Sequence, residues 1–101
     1  MTMDTPEIVH SAARSRFEIH LGSSVIGRSY YRAEQGRRVF THTEVDPDYQ
    51  GHGLATQLIE YALADTRQAG LRIVAQCPTV AAYVGKHPEY DDIVDRDVAP
   101  S

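Results

Sequence analysis

A length of 101 residues leaves room for one core, and 42% hydrophobic against 24% charged residues fits a folded chain rather than a disordered one. The formal charge of −4 argues against a general nucleic-acid binder, whose partner demands a basic face. The single cysteine excludes an intrachain disulfide, and neither a membrane-spanning apolar run nor an apolar signal region is present, so a cytoplasmic protein without a membrane partner is expected.

Residues 1–15 mix small and polar types without periodicity and are expected to form a flexible N-terminal arm. From Arg16 the pattern changes, because Phe17, Ile19 and Leu21 alternate with Glu18 and His20 as in a half-buried strand. Gly22-Ser23-Ser24 turns the chain into a returning strand, Val25 to Arg32, interrupted by Gly27. After a second turn at Glu34-Gln35-Gly36, a third strand from Arg37 to Val45 ends at Asp46-Pro47-Asp48. From about Gly53 to Ala69 the apolar residues recur with helical period, and Gly70 marks the stop. Leu71 to Ala75 is a short apolar run of the buried-strand kind. Pro78 suits the first turn of a second helix, in which Val80, Ala81, Tyr83 and Val84 share a face, and His87-Pro88 closes it. The chain from Asp91, with Asp92, Asp95 and Asp97, is expected to be a solvated acidic end, with 95–101 as its tail.

The expected domain is therefore 16–94, of α/β (α+β) class, in the order β-β-β-α-β-α: an antiparallel meander followed by a β-α-β unit. If the third and fourth strands pair in parallel, the segment Tyr49-Gln50-Gly51-His52-Gly53-Leu54-Ala55 lies where ligands of open α/β sheets commonly sit. A glycine-rich loop running into a helix is a tight turn on the plain reading. On the functional reading, its free backbone N–H groups and the helix dipole hold a phosphate. Neither the Walker lysine nor the third glycine of a Rossmann loop is present.

The loop resembles the Gln/Arg-x-x-Gly-x-Gly/Ala motif of the GNAT superfamily of N-acetyltransferases. The resemblance extends to the family's small single-domain members through His42-Thr43-Glu44-Val45, Cys77-Pro78-Thr79-Val80, and Tyr83 followed by His87-Pro88-Glu89-Tyr90. It covers roughly Arg16 to Val94 and departs at Thr79, where a bulky aromatic is expected. The resemblance implies a minimal GNAT-like fold with acetyl-coenzyme A (acetyl-CoA) as cosubstrate. It places the pyrophosphate among Val45, Gln50, Gly51, His52, Gly53, Leu54, Ala55 and Thr56, and the pantetheine arm between the splayed third and fourth strands. The bland reading of Thr56 is a hydroxyl returned to its own helix.

Four residues are candidates for catalysis. Cys77, just before a helix, is an acyl-accepting thiol or a contact to the thioester on the functional reading, and a small buried hydrophobe on the plain one. His42 and Glu44 alternate on one strand face, where they would act as base and orienting partner or simply as polar surface residues. Tyr83 matches the tyrosine that protonates the departing thiolate in many GNAT enzymes, or else anchors the core. His52 is expected to face solvent. The scattered histidines show no metal-ligand spacing, so no metal is expected. The implied function is acetyl transfer to an amine, by direct attack in preference to a two-step route through Cys77. With only a three-residue turn between the first two strands, the cleft is expected to be open to a large acceptor such as a protein, or to a partner subunit, the chain being a monomer or a homodimer. The alternative is a coenzyme A-binding module with little catalysis.

Overall fold

Five strands lie side by side in chain order in the computed structural model, which describes residues 5–95. They are β1 (Glu7–Ser11), β2 (Arg16–Leu21), β3 (Ser24–Glu34), β4 (Arg37–Val45) and β5 (Arg72–Ala75). The first three joints are antiparallel and β4–β5 is parallel. Helix α1 (Leu54–Gln68) makes the crossover that a parallel joint requires, and α2 (Pro78–Lys86) follows β5.

The meander, the crossover helix and the last strand stand where the sequence pattern puts them, but the sheet has one strand more. Glu7–Ser11, expected within a loose arm, pairs with β2 as an edge strand. Its inward residues are Ile8 and His10, and a polar inward residue hides the alternation. His10 stacks on Phe17 at 4.2 Å, and its Nε2 lies 2.6 Å from the Tyr31 hydroxyl. The acidic end is also less free than expected. Val94 bridges Ile73 in parallel, Asp92 pairs with Arg67 at 3.0 Å, and Asp95 pairs with Arg72 and Arg37. Asp97, like residues 1–4, lies outside the described residues.

Helix α1 buries Leu58, Ile59, Ala62 and Leu63 along one face, as its period requires. Each large aliphatic side chain among them contributes roughly 2 kcal/mol when taken fully from water. Gly70, at φ 75°, ends the helix with two bonds that satisfy its last carbonyls: Leu71 N to Thr66 O at 3.1 Å and Gly70 N to Arg67 O at 3.0 Å. Residues of both helices share one apolar cluster with Phe17, Ile19, Phe40 and Ile73 of the sheet.

Two irregularities of β4 decide which side chains meet at its C-terminal end. Tyr31 stands opposite Phe40 but Tyr30 stands opposite His42, so Thr41 is an extra residue on β4. Such a bulge reverses which face each later side chain takes. The pairing of β4 with β5 also stops at Phe40, whose carbonyl accepts from both Gln76 N (3.0 Å) and Cys77 N (2.8 Å). Thr41 to Val45 therefore run on without β5, and the strands part.

Candidate functional site

A cavity of about 380 Å3 opens where the strands part. Thr43 and Val45 of β4 form one wall, Tyr49, Gln50, Gly51 and Gly53 the rim, and Leu54, Ala55 and Thr56 of α1 the floor, with Thr79 of α2 across from them. Gly51 and Gly53 have φ of 86° and 74°, the left-handed region that side chains with a Cβ rarely take. A Cβ built on either would meet nothing within 4 Å, so the space above both is free for a ligand. Gly53 is the helix N-cap, and the first bond of the helix runs from Gln57 N to Gly53 O at 3.1 Å. The amides of Leu54, Ala55 and Thr56 thus precede any helical partner, at the positive end of the dipole. The Gln50 side chain donates to the Val45 carbonyl at 2.9 Å and holds the loop against the end of β4.

Most of the expected coenzyme set meets here. His52 does not, since it is exposed and absent from the cavity wall. Thr56 is exposed, and among the described residues its hydroxyl makes no bond back to its helix. Thr43, Tyr49 and Thr79 also line the cavity. Sequence reasoning assigns them no site role, although Thr43 and Thr79 lie inside the motifs it uses.

The four catalytic candidates separate. Because of the bulge, Thr43 and Val45 face the cavity and the helices, whereas His42 and Glu44 take the opposite, open face. There His42 Nε2 lies 3.1 Å from Glu44 Oε1, and Glu44 Oε2 accepts from Arg28 at 3.1 Å. The His42 ring stacks beside Tyr30 with centroids 6.1 Å apart. Its side chain is 61% exposed, which suits a base that meets an acceptor from solvent. Glu44 belongs to both places, lining the cavity while its carboxylate orients His42.

Cys77 is 2% exposed at the N-cap of α2. Its thiol donates to Thr43 Oγ1 at 3.5 Å, across the gap between β4 and the start of α2, and Ser29 Oγ lies 2.9 Å from the same oxygen. Tyr83 lies in a second hollow between the helices with Ile59, Lys86 and His87, and this hollow meets the first at Thr56 and Thr79. The Tyr83 ring stacks on His87 at 3.8 Å. Burial, reinforced by the Glu60 carboxylate, raises its pKa above the ordinary value, which keeps the hydroxyl protonated and able to donate. Among the described residues no group of three or more His, Cys, Asp or Glu side chains is placed to hold a metal, and no helix is long and apolar enough to cross a membrane.

A meander whose fourth strand parts from a parallel neighbour, with a glycine-lined helix N-terminus at the fork, is the architecture of a GNAT fold. The chain belongs to the GCN5-related N-acetyltransferase family, whose model matches residues 16–93. Its structure is similar to that of a GCN5-like protein of the N-acetyltransferase type from Staphylococcus aureus, at 22% identity and a TM-score of 0.68, covering 88% of this chain and 87% of that one. It is also similar to a ribosomal-protein-alanine N-acetyltransferase from Brucella melitensis biovar Abortus 2308, at 20% identity and a TM-score of 0.52. That match covers 85% of this chain but only 64% of the Brucella protein. Among curated proteins none matches the chain by sequence.

Proposed function

We propose that this protein binds acetyl-CoA and transfers its acetyl group directly to an amine on a large acceptor, such as a protein. The observation that carries the reading is the pair of open glycines, Gly51 and Gly53, beside the free amides of Leu54, Ala55 and Thr56. A pyrophosphate fits that cradle, since it needs closely approached backbone donors and no cation of its own. The cavity leads from the cradle along Thr43 and Val45 into the fork of β4 and β5, where a pantetheine arm would find unpaired strand.

Direct transfer is favoured by the positions of the two candidate reactive groups. His42, on the open face two residues beyond the last β4–β5 pair, is reachable by an incoming amine and is oriented by Glu44. In the role proposed for it, His42 accepts the amine proton as the nitrogen attacks the carbonyl carbon, and the carbon–sulfur bond then breaks with its electron pair going to sulfur. Cys77 is buried and engaged with Thr43, a poor arrangement for a nucleophile that must be loaded first. A large acceptor is favoured because only Gly22 and Ser23 separate β2 from β3, leaving no helix to wall off the open face.

Calorimetric titration with acetyl-CoA, followed by mass analysis of a lysine-containing peptide incubated with enzyme and acetyl-CoA, tests the reading. Binding together with a peptide heavier by one acetyl group supports it. Binding without transfer to any amine supports a coenzyme A-binding module instead, and no heat at millimolar ligand removes the coenzyme reading altogether.

A further inference from the structure

Behind the cavity wall the buried Ser29 hydroxyl and Cys77 thiol both meet the hydroxyl of Thr43, which lines the cavity, and their hydrogens fix where that of Thr43 points. The Ser29 hydroxyl is fully buried, and Thr43 is its one hydrogen-bond partner among the described residues, at 2.9 Å. A buried hydroxyl that does not donate carries a desolvation penalty, so Ser29 gives its hydrogen to Thr43. The buried Cys77 thiol also donates to Thr43, at 3.5 Å. A threonine oxygen accepts twice and donates once. With both acceptor positions filled by Ser29 and Cys77, the hydrogen of Thr43 has no partner among the described residues, and Thr43 itself lines the cavity.

We infer that Thr43 is a catalytic residue whose hydroxyl, held in orientation by the positioning residues Ser29 and Cys77, donates a hydrogen bond to the carbonyl oxygen of the bound acetyl thioester. The inference rests on the acetyl-CoA reading above. As the amine nitrogen attacks the carbonyl carbon, the carbonyl π pair moves onto oxygen, which gains negative charge beside the Thr43 donor. When the carbon–sulfur bond breaks, that pair returns and the bond's own electrons leave with sulfur. A donor fixed before the charge develops needs no reorganisation during the reaction, and loss of one such donor lowers kcat on the order of a hundredfold in comparable acyl-transfer sites. The arrangement also gives the buried thiol a use that requires no covalent chemistry at sulfur.

The test reads the carbonyl directly and needs no knowledge of the acceptor. Acetyl-CoA carrying 13C at the thioester carbonyl is bound to the wild type and to Thr43→Val, Thr43→Ser and Ser29→Ala, with binding confirmed by calorimetry and folding by circular dichroism. The carbonyl stretch is then recorded by isotope-edited infrared difference spectroscopy. The wild type and Thr43→Ser should share one band position, Thr43→Val should shift the band to higher wavenumber, and Ser29→Ala should shift it the same way by less. A band unmoved in bound Thr43→Val overturns the inference while leaving the acetyl-CoA reading intact. If Thr43→Val does not fold, an unmoved band in Ser29→Ala has the same consequence. Absence of binding by the wild type overturns both.

Discussion

The Cys77 thiol donates to the Thr43 hydroxyl across 3.5 Å and so joins the start of α2 to the unpaired end of β4. With Cys77 only 2% exposed, the proposed direct route gives it the part of a structural partner and not of an acyl carrier. Cys77→Ala is expected to destabilise the fold by about 1 kcal/mol through lost packing. It should slow transfer by about fivefold, the equivalent of one weak hydrogen bond. Intact mass of the wild type after incubation with acetyl-CoA should show no acetyl adduct at Cys77. A stoichiometric adduct lost in the alanine variant would establish the two-step route.

Glycines at the cradle and in the sheet should fail differently. Gly53→Ala forces a Cβ into the left-handed region, at about 1–2 kcal/mol, and puts a methyl group into the space above the loop. Its acetyl-CoA affinity should fall at least roughly tenfold, more than its stability alone explains. At Gly27 a Cβ would come within 2.8 Å of Ile19 Cγ2 and 3.2 Å of the Glu44 carbonyl. Gly27→Ala should therefore cost about 1–3 kcal/mol by overpacking, while the folded fraction retains affinity. Denaturant midpoints and calorimetric Kd values measured on the same samples separate the two.

His42 lies on the open face, away from the cradle, so its removal should act on rate and not on coenzyme binding. His42→Ala is expected to lower kcat by roughly 10²–10⁴ with an unchanged Kd for acetyl-CoA, and Glu44→Gln to lower it less. Equal kcat in His42→Ala and wild type would remove the base assignment.

Acid should weaken the fold through two groups of known direction. Glu18 is 4% exposed; burial alone would raise its pKa, but hydrogen bonds from His20 and Arg16 outweigh burial and lower it below the ordinary 4.5. His10 is lowered from 6.5, first by burial and then by the Arg38 charge, against the opposing pull of Asp65. Both shifts have the same sign: the stabilisation by His10 is complete above pH 6.5, that by Glu18 above 4.5, and each is lost as pH falls through the lowered folded value. Denaturant midpoints should drop as pH falls below 6.5 and drop further below 4.5, and Glu18→Gln should flatten the lower part of that curve. A midpoint that rises on acidification would contradict the assignment.

Much of this arrangement is legible from the residues alone. Arg37–Val45 is a run of β-branched and aromatic residues bounded by turn residues, and the period of α1 needs no tertiary information to be seen. The edge strand is harder to read, because the inward His10 reads as polar until Phe17 and Tyr31 are placed around it. The facing of His42 and Glu44 depends on Thr41, an extra residue that simple alternation does not reveal. Thr43 escapes assignment for the same reason: without the bulge it would point away from the cavity. Its partners Ser29 and Cys77 are distant in sequence and meet only through strand register.

In the proposed complex Gly51, Gly53, Leu54, Ala55 and Thr56 hold the pyrophosphate of acetyl-CoA, and an amide NMR titration of the wild-type protein tests this most directly. The largest shifts on adding acetyl-CoA are predicted at the amides of Gly51, Gly53, Leu54, Ala55 and Thr56, with those of Val9 and Glu34 unmoved. Saturable shifts centred elsewhere, or none at millimolar acetyl-CoA, would contradict it.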